Sequence, residues 1–233
     1  MKFLFLIPWL LFICGAGLAH WRVLSPLSGF ILVLLSIPAG LAVVVAALWF
    51  WIRGTPISYG VVVCLLAILP GALIVFAGRD AFRVPRINDV STDLEHPPQF
   101  TAIAALPENE GRDLSYPESF VPVVRDAYPD LSPGTWPKDR MATDRLFDAA
   151  VTVAEGLSGW TVIRADPESK EIEAVVASSL FRFRDYVSIR ISGTGESIRV
   201  DIRSKSRDGK SDLGVNARRI RTFLAALSAE ITM

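Results

Sequence analysis

Not one aspartate or glutamate precedes Arg79 in this chain of 233 residues, and the only basic side chains in that stretch are Lys2, Arg22 and Arg53. A soluble surface cannot be built from so little charge, so a soluble N-terminal domain is excluded. Cysteine is scarce as well. Cys14 and Cys64 are the two in the chain, and both lie in this apolar region. The remaining residues therefore offer no disulfide framework, no thiol nucleophile and no clue to redox compartment. The two histidines, His20 and His96, stand alone, no group of residues has metal-ligand spacing, and no serine sits in a nucleophile elbow. Gly209-Lys210-Ser211 resembles the end of a phosphate-binding loop, but the glycine needed five residues earlier is Ser204. Nucleotide hydrolysis is excluded, and no motif implies a cofactor.

Three long apolar runs are present instead: Phe3 to Ala19, Leu27 to Ile52 and Tyr59 to Ala77. Their lengths predict three membrane spans over residues 1–78. The first run also reads as a cleavable signal, with Lys2 ahead of it and Gly17-Leu18-Ala19 as a small-residue site, although it exceeds the usual signal core. Pro38 and Pro70 fall inside the second and third runs, where neighbouring helices can re-satisfy the freed carbonyls. Orientation is divided. A plain count of flanking basic residues puts the C-terminal domain in the cytoplasm, whereas a signal-like start puts it on the periplasmic side of a bacterial inner membrane. The expectation is an integral membrane protein with the periplasmic side favoured.

Residues 79–233 read as a soluble α+β domain. From Arg83 to Pro137 the chain holds nine of its fifteen prolines together with Phe100, Tyr116, Phe120, Tyr128 and Trp136. Proline at that density forbids long helices and central strands, while the rings argue for a wrap that buries them against a core. Residues 138–233 form that core. Ala142, Leu146, Ala149, Val153 and Leu157 recur at helical spacing over 140–157, with Asp139 as a candidate cap. Four strands follow over 160–165, 171–183, 185–191 and 197–206, joined by short turns that imply an antiparallel meander. A second helix carries Leu213, Ala217, Ile220, Leu224, Leu227 and Ile231, with Ser211 or Asp212 as its cap. Both helices are expected on one face of a four-stranded sheet.

Charge is then unevenly spread. Between Arg199 and Arg221 eight basic residues meet three aspartates, about +5 by formal charge. Alternation in the third and fourth strands sends Val187, Ile189, Ile191, Ile198, Val200 and Ile202 to the helices and Ser188, Arg190, Arg199, Asp201, Arg203 and Lys205 to the other side. Unpaired guanidinium groups buried there would cost several kcal/mol each. They must meet water, the wrap carboxylates Asp89, Asp93 and Glu95, or an anionic partner.

The candidate ligand-binding set is therefore Arg203, Lys205 and Arg207 on the fourth strand with Arg190 across from them, Lys210 and Ser211 at the helix start, and Asn88 and Asp93 from the wrap. A non-enzymatic binding or scaffold role towards an anionic lipid headgroup or an acidic protein is expected. The alternative is an envelope enzyme, with hydrolysis as a candidate reaction, using Asp93 or Asp201 with Arg203 under the wrap. Nucleic acid is a poor partner, because 21 basic against 24 acidic residues outside the apolar runs leave about −3.

Asn88-Asp89-Val90-Ser91-Thr92-Asp93, Pro97-Pro98 with Phe100, Tyr128-Pro129-Asp130 and the stretch Arg203 to Arg221 resemble the bacterial and plastid-lineage proteins grouped as domain of unknown function 1499. That resemblance implies a domain starting near Arg83, a membrane attachment and an envelope-facing soluble part, and it carries no established activity. Members often show paired acidic residues ahead of the third strand. Here Arg184-Asp185 stands there, which argues against a metal held by two carboxylates.

Overall fold

The computed structural model describes residues 3–54, 57–79 and 83–232; Lys2, invoked above as a signal feature, lies outside them. The chain divides into two compact units, one made of residues 1–83 with Ser178–Phe183, the other of residues 84–177 and 184–233.

The first unit contains α1 (Leu6–His20), α2 (Pro26–Ile52) and α3 (Ile57–Ala77). Ser25 caps α2, its hydroxyl accepting the Ser28 N–H at 3.1 Å, and Pro26 begins the helix, where a missing N–H costs nothing. Among the described residues α2 alone is both long and apolar enough to cross a membrane, with mean hydropathy 2.7. Of the three spans expected from the sequence, the described residues thus bear out one as a strong candidate. At 15 residues α1 reaches about 22 Å against roughly 30 Å of hydrocarbon, and the described apolar part of α3 is Gly60–Phe76.

Glycine brings these helices together. A Cβ on Gly15 would lie 2.7 Å from the Gly29 carbonyl oxygen, and one on Gly40 would lie 2.5 Å from that of Ala67. Proline adds a second device. Pro70 has no N–H for the carbonyl of Leu66, and the indole Nε1 of Trp9 donates to that oxygen at 3.0 Å. A side chain of α1 thus satisfies a carbonyl that α3 cannot satisfy itself.

In the second unit the order is β1 (Asp89–Ser91), a 3-10 turn (Pro107–Asn109), α4 (Phe120–Ala127), β2 (Gly134–Pro137), α5 (Thr143–Gly156), β3 (Trp160–Asp166), β4 (Glu171–Ala177), β5 (Arg184–Thr194), β6 (Ser197–Ser206) and α6 (Val215–Thr232). The sheet has six strands, not four. Its order is β1-β6-β5-β4-β3, with β2 also pairing β6, and every pairing is antiparallel. The two extra strands come from the proline-rich wrap, in gaps where proline does not interrupt the ladder. β1 lies between Pro85 and Pro97, and β2 ends on Pro137 at the sheet edge. Because β2 carries the chain through Pro137, with Lys138 N–H donating to Glu196, α5 starts at Thr143 and Asp139 does not cap it.

Alternation along β5 and β6 is as the sequence implies. Val187, Ile189, Ile191, Ile198, Val200 and Ile202 pack with Leu146, Phe147 and Ala150 of α5 and Ile220, Phe223 and Leu227 of α6. The opposite side of the sheet is covered by the wrap, where Phe100 and Ile103 pack on Val175 and Tyr186. β4 stops at Ala177 rather than running on to Phe183, since Ser178–Phe183 closes on itself. The Ser178 N–H donates to the Phe183 carbonyl at 2.8 Å.

Replacing Trp9 by Phe should destabilise the helical unit by about 0.6 to 2 kcal/mol, the usual range for a hydrogen bond between membrane helices. In a Pro70→Ala background, where residue 70 regains its own N–H, that cost should shrink. Unfolding titrations of the four chains of this cycle in mixed micelles measure the coupling.

Candidate functional site: an ion-paired sheet face

The pairing of β1 with β6 sets the geometry. Asp89 lies opposite Lys205 and Ser91 opposite Arg203, so Asp89, Arg203 and Lys205 share the face under the wrap. Asp89 and Arg203 are both wholly buried. The guanidinium meets the carboxylate as a fork, Nε to Oδ1 at 3.0 Å and Nη2 to Oδ2 at 2.8 Å, and Lys205 Nζ reaches Oδ2 at 3.0 Å. Its remaining nitrogen bonds go to carbonyls of the wrap, Pro98 at 3.2 Å and Leu114 at 2.7 Å. Phe100 and Tyr116 place their rings 4.6 Å and 5.3 Å from its Cζ. Burial, then the Asp89 charge, push the Tyr116 phenol above its ordinary pKa.

Arg190 and Arg199 belong to a second group. Arg190 Nη2 contacts Asp93 at 2.9 Å, Asp201 at 3.3 Å and the His96 carbonyl at 2.9 Å. Arg199 Nε donates to both oxygens of Asp201, at 3.0 and 2.9 Å, and its Nη2 lies 3.2 Å from Asp93. Burial alone would raise the pKa of Asp93. The His96 and Glu95 N–H groups, with Arg199 and Arg190, outweigh it and hold the carboxyl below its ordinary 3.8. A carboxylate so stabilised is a weak base. Arg203 is not a member of this group, so the Asp93, Asp201 and Arg203 combination considered for catalysis is divided between two networks.

A third group surrounds the turn between β6 and α6. Asn88 Nδ2 donates to the Gly209 carbonyl at 2.8 Å and fixes the turn. Arg207 Nε lies 3.0 Å and Arg112 Nη2 3.4 Å from Asp208, while Lys210 is exposed and has no ion pair among the described residues. Asp212, rather than Ser211, holds the start of α6. Its carboxylate accepts the N–H of Gly214 at 2.9 Å and of Asn216 at 2.8 Å. To form that hook Leu213 and Gly214 take positive φ, 54° and 77°. Burial raises the pKa of Asp212. The amides that could receive a foreign anion are thus bound to the protein's own carboxylate.

Several buried polar residues escaped the sequence reading. Arg219 reaches from α6 to Asp185 at 2.6 Å, to Ser204 at 2.7 Å and to Asn216 at 2.6 Å. Glu173 on β4 accepts the N–H groups of Thr101, Ala102 and Ile103. The signal for Glu173 was its place opposite Ile172 and Ala174 on a strand whose outer face the wrap covers. Asn88 and Asp93 do come down on the basic strand, but on separate parts of it. Arg203 and Lys205 share Asp89, Arg190 meets Asp93, and Arg207, Lys210 and Ser211 gather at the turn with Asn88.

Two outcomes follow. Arg203→Met leaves Asp89 buried with half its partners and should cost about 3–5 kcal/mol in denaturant unfolding, whereas Lys210→Ala should stay within about 0.5 kcal/mol. The lowered pKa of Asp93 contributes stability that is present above its unfolded value and lost as pH falls through the folded one. The stability gap between the native chain and Asp93→Asn should therefore be constant near neutrality and narrow below about pH 4, which unfolding curves at stepped pH will show.

No curated protein matches the chain. A family model described as a protein of unknown function, DUF1499, matches residues 89–227, a stretch that begins in β1 and ends inside α6 and so takes in the polar groups described above other than Asn88. With well over half of its residues inside that match, the chain belongs to the DUF1499 family.

Proposed function

We propose that this chain is a membrane-anchored, non-enzymatic binding or scaffold protein whose soluble domain meets an anionic partner at the turn between β6 and α6. One observation carries the reading. Asp89, Asp93 and Asp201 answer the cations of the basic strand inside the domain, whereas at the turn Arg207, Arg112 and exposed Lys210 stand around the single carboxylate of Asp208. The cationic excess that the sequence places on a strand is concentrated on a loop. Partner chemistry is anionic, the phosphate of a lipid headgroup or the carboxylates of an acidic protein. The polar atoms of the family motifs are spent on holding the wrap, which favours binding over catalysis.

On this reading α1 and α3 accompany α2 in the bilayer as three crossings. Lys2 ahead of the first apolar run supports an N-terminus inside, and three crossings then put residues 84–233 on the periplasmic side of a bacterial inner membrane.

The chain held in neutral lipid nanodiscs should capture soluble polyphosphate or polyglutamate at low salt, and preference between the two separates the phosphate from the carboxylate partner. Lys210→Glu with Arg112→Glu should weaken capture by about tenfold or more, with thermal stability little changed, since each surface charge reversal acts through Coulomb steering. Equal capture by native and doubly reversed chains would remove the turn as the recognition surface.

A further inference from the structure

Two of the three hairpin connections in the second unit have ordinary polar turns, Pro167-Glu168-Ser169-Lys170 and Gly195-Glu196. The connection from β4 to β5 is different. It reads Ser178-Ser179-Leu180-Phe181-Arg182-Phe183, and it clusters with the apolar helices rather than with the strands it joins. Phe181 and Phe183 pack edge-on against Phe30 of α2, with ring centroids 5.4 and 6.1 Å away. His20 Nδ1, at the end of α1, donates to the Ser179 carbonyl at 3.1 Å.

The loop holds its own shape through internal hydrogen bonds. Ser178 Oγ accepts the Phe183 N–H at 2.9 Å, the Ser178 carbonyl accepts the Arg182 N–H at 3.1 Å, and Arg182 takes φ 62°. The N–H groups of Ser178, Arg182 and Phe183 are satisfied in this way, which lowers the cost of bringing the loop into a low-dielectric region. Leu180 is left 49% exposed at its tip, and the α1–α2 turn beside it leaves Trp21 78% and Val23 68% exposed. Arg22 and Arg182 flank these apolar groups, and Arg182 Nε is buried without an acceptor among the described residues.

Depth follows from helix length. The 27 residues of α2 extend about 40 Å, roughly 10 Å more than the hydrocarbon core, so a centred helix protrudes by about 5 Å at each end. Phe30 lies four residues into α2, about 6 Å from its start, at the boundary between headgroups and acyl chains. Its two ring partners lie at the same level.

We infer that the Ser178–Phe183 loop, with the α1–α2 turn, is a second membrane contact that seats Leu180, Phe181, Trp21 and Val23 at the acyl boundary and leaves Arg22 and Arg182 among lipid phosphates. The occupant is the bilayer surface itself, because the patch is continuous with the apolar side of α2. The inference rests on the reading that α2 crosses the membrane.

The full chain with Cys14→Ala and Cys64→Ala, carrying Leu180→Cys, Val23→Cys or Glu168→Cys, is labelled with an environment-sensitive fluorophore and reconstituted in phosphatidylcholine vesicles. Glu168 is at the opposite end of β4 from the loop, about 23 Å away along seven residues. Labels at 180 and 23 should be blue-shifted and quenched by shallow spin-labelled lipids about tenfold more than the label at 168, as for groups buried 5–10 Å into the interface. Labels at 180 and 168 with the same water-like emission, on protein that resists carbonate extraction, would overturn the inference alone. Release of the protein by carbonate would overturn the anchoring reading together with it.

Discussion

Moving a guanidinium group out of water costs several kcal/mol even after the protein relaxes, and Arg203 has no exposed surface at all. Everything around it follows from that cost. The countercharge comes from Asp89, 114 positions away in sequence, and two further acceptors are main-chain carbonyls at Pro98 and Leu114. A segment rich in proline has few N–H groups for a ladder, so it cannot fix its own path over a sheet. Here the planar fork of one arginine fixes it at three places, and the rings of Phe100 and Tyr116 close on its faces. A hydrophobic residue at 203 could bury as much area, but it would not distinguish these three points from any others.

The same arrangement explains why a strand as short as Asp89–Ser91 holds its register. Val90 points into the helix-side core while Asp89 faces the ion pair. A slip by one residue would exchange them, placing an aspartate among Ile202, Ile220 and Phe223 and leaving Arg203 and Lys205 without their carboxylate. Asn88 extends the lock beyond the strand. Its carbonyl accepts from the Ser206 N–H at 2.7 Å and from Asn216 Nδ2 at 3.1 Å, and its own amide grips Gly209. The wrap, the end of β6 and the start of α6 therefore rise or fall together.

This is also where the sequence is least legible. Alternation in β5 and β6 and the helical stripes of α5 and α6 are local patterns, and they place the two helices and the charged face correctly. Ion pairing is a long-range property. Of the three companions open to the basic strand, the fold selects the wrap carboxylates Asp89 and Asp93, and a window count of charge carries no trace of that choice. β1 and β2 are too short for a period of two to register. Ser178–Phe183 extends the alternation of β4 in sequence, yet its backbone turns inward on Ser178 and leaves the sheet. The capping role of Asp212 over Ser211 depends on positive φ at Leu213, a residue whose type gives no hint of it.

In the helical unit the small residues of the first apolar run have a packing role. Gly17-Leu18-Ala19 has the small side chains of a cleavage site, but close helix packing also demands small side chains, and Ala19 is buried against Gly29. A chain cut after Ala19 would lose Trp9, and the Leu66 carbonyl, already deprived of a partner by Pro70, would lose this donor. The same cut would free His20 to become a new N-terminus, placing a charged amine beside the loop of Phe181 and Phe183. The small residues that pack on α2 and the part-buried indole that satisfies Leu66 describe this run as a packed helix.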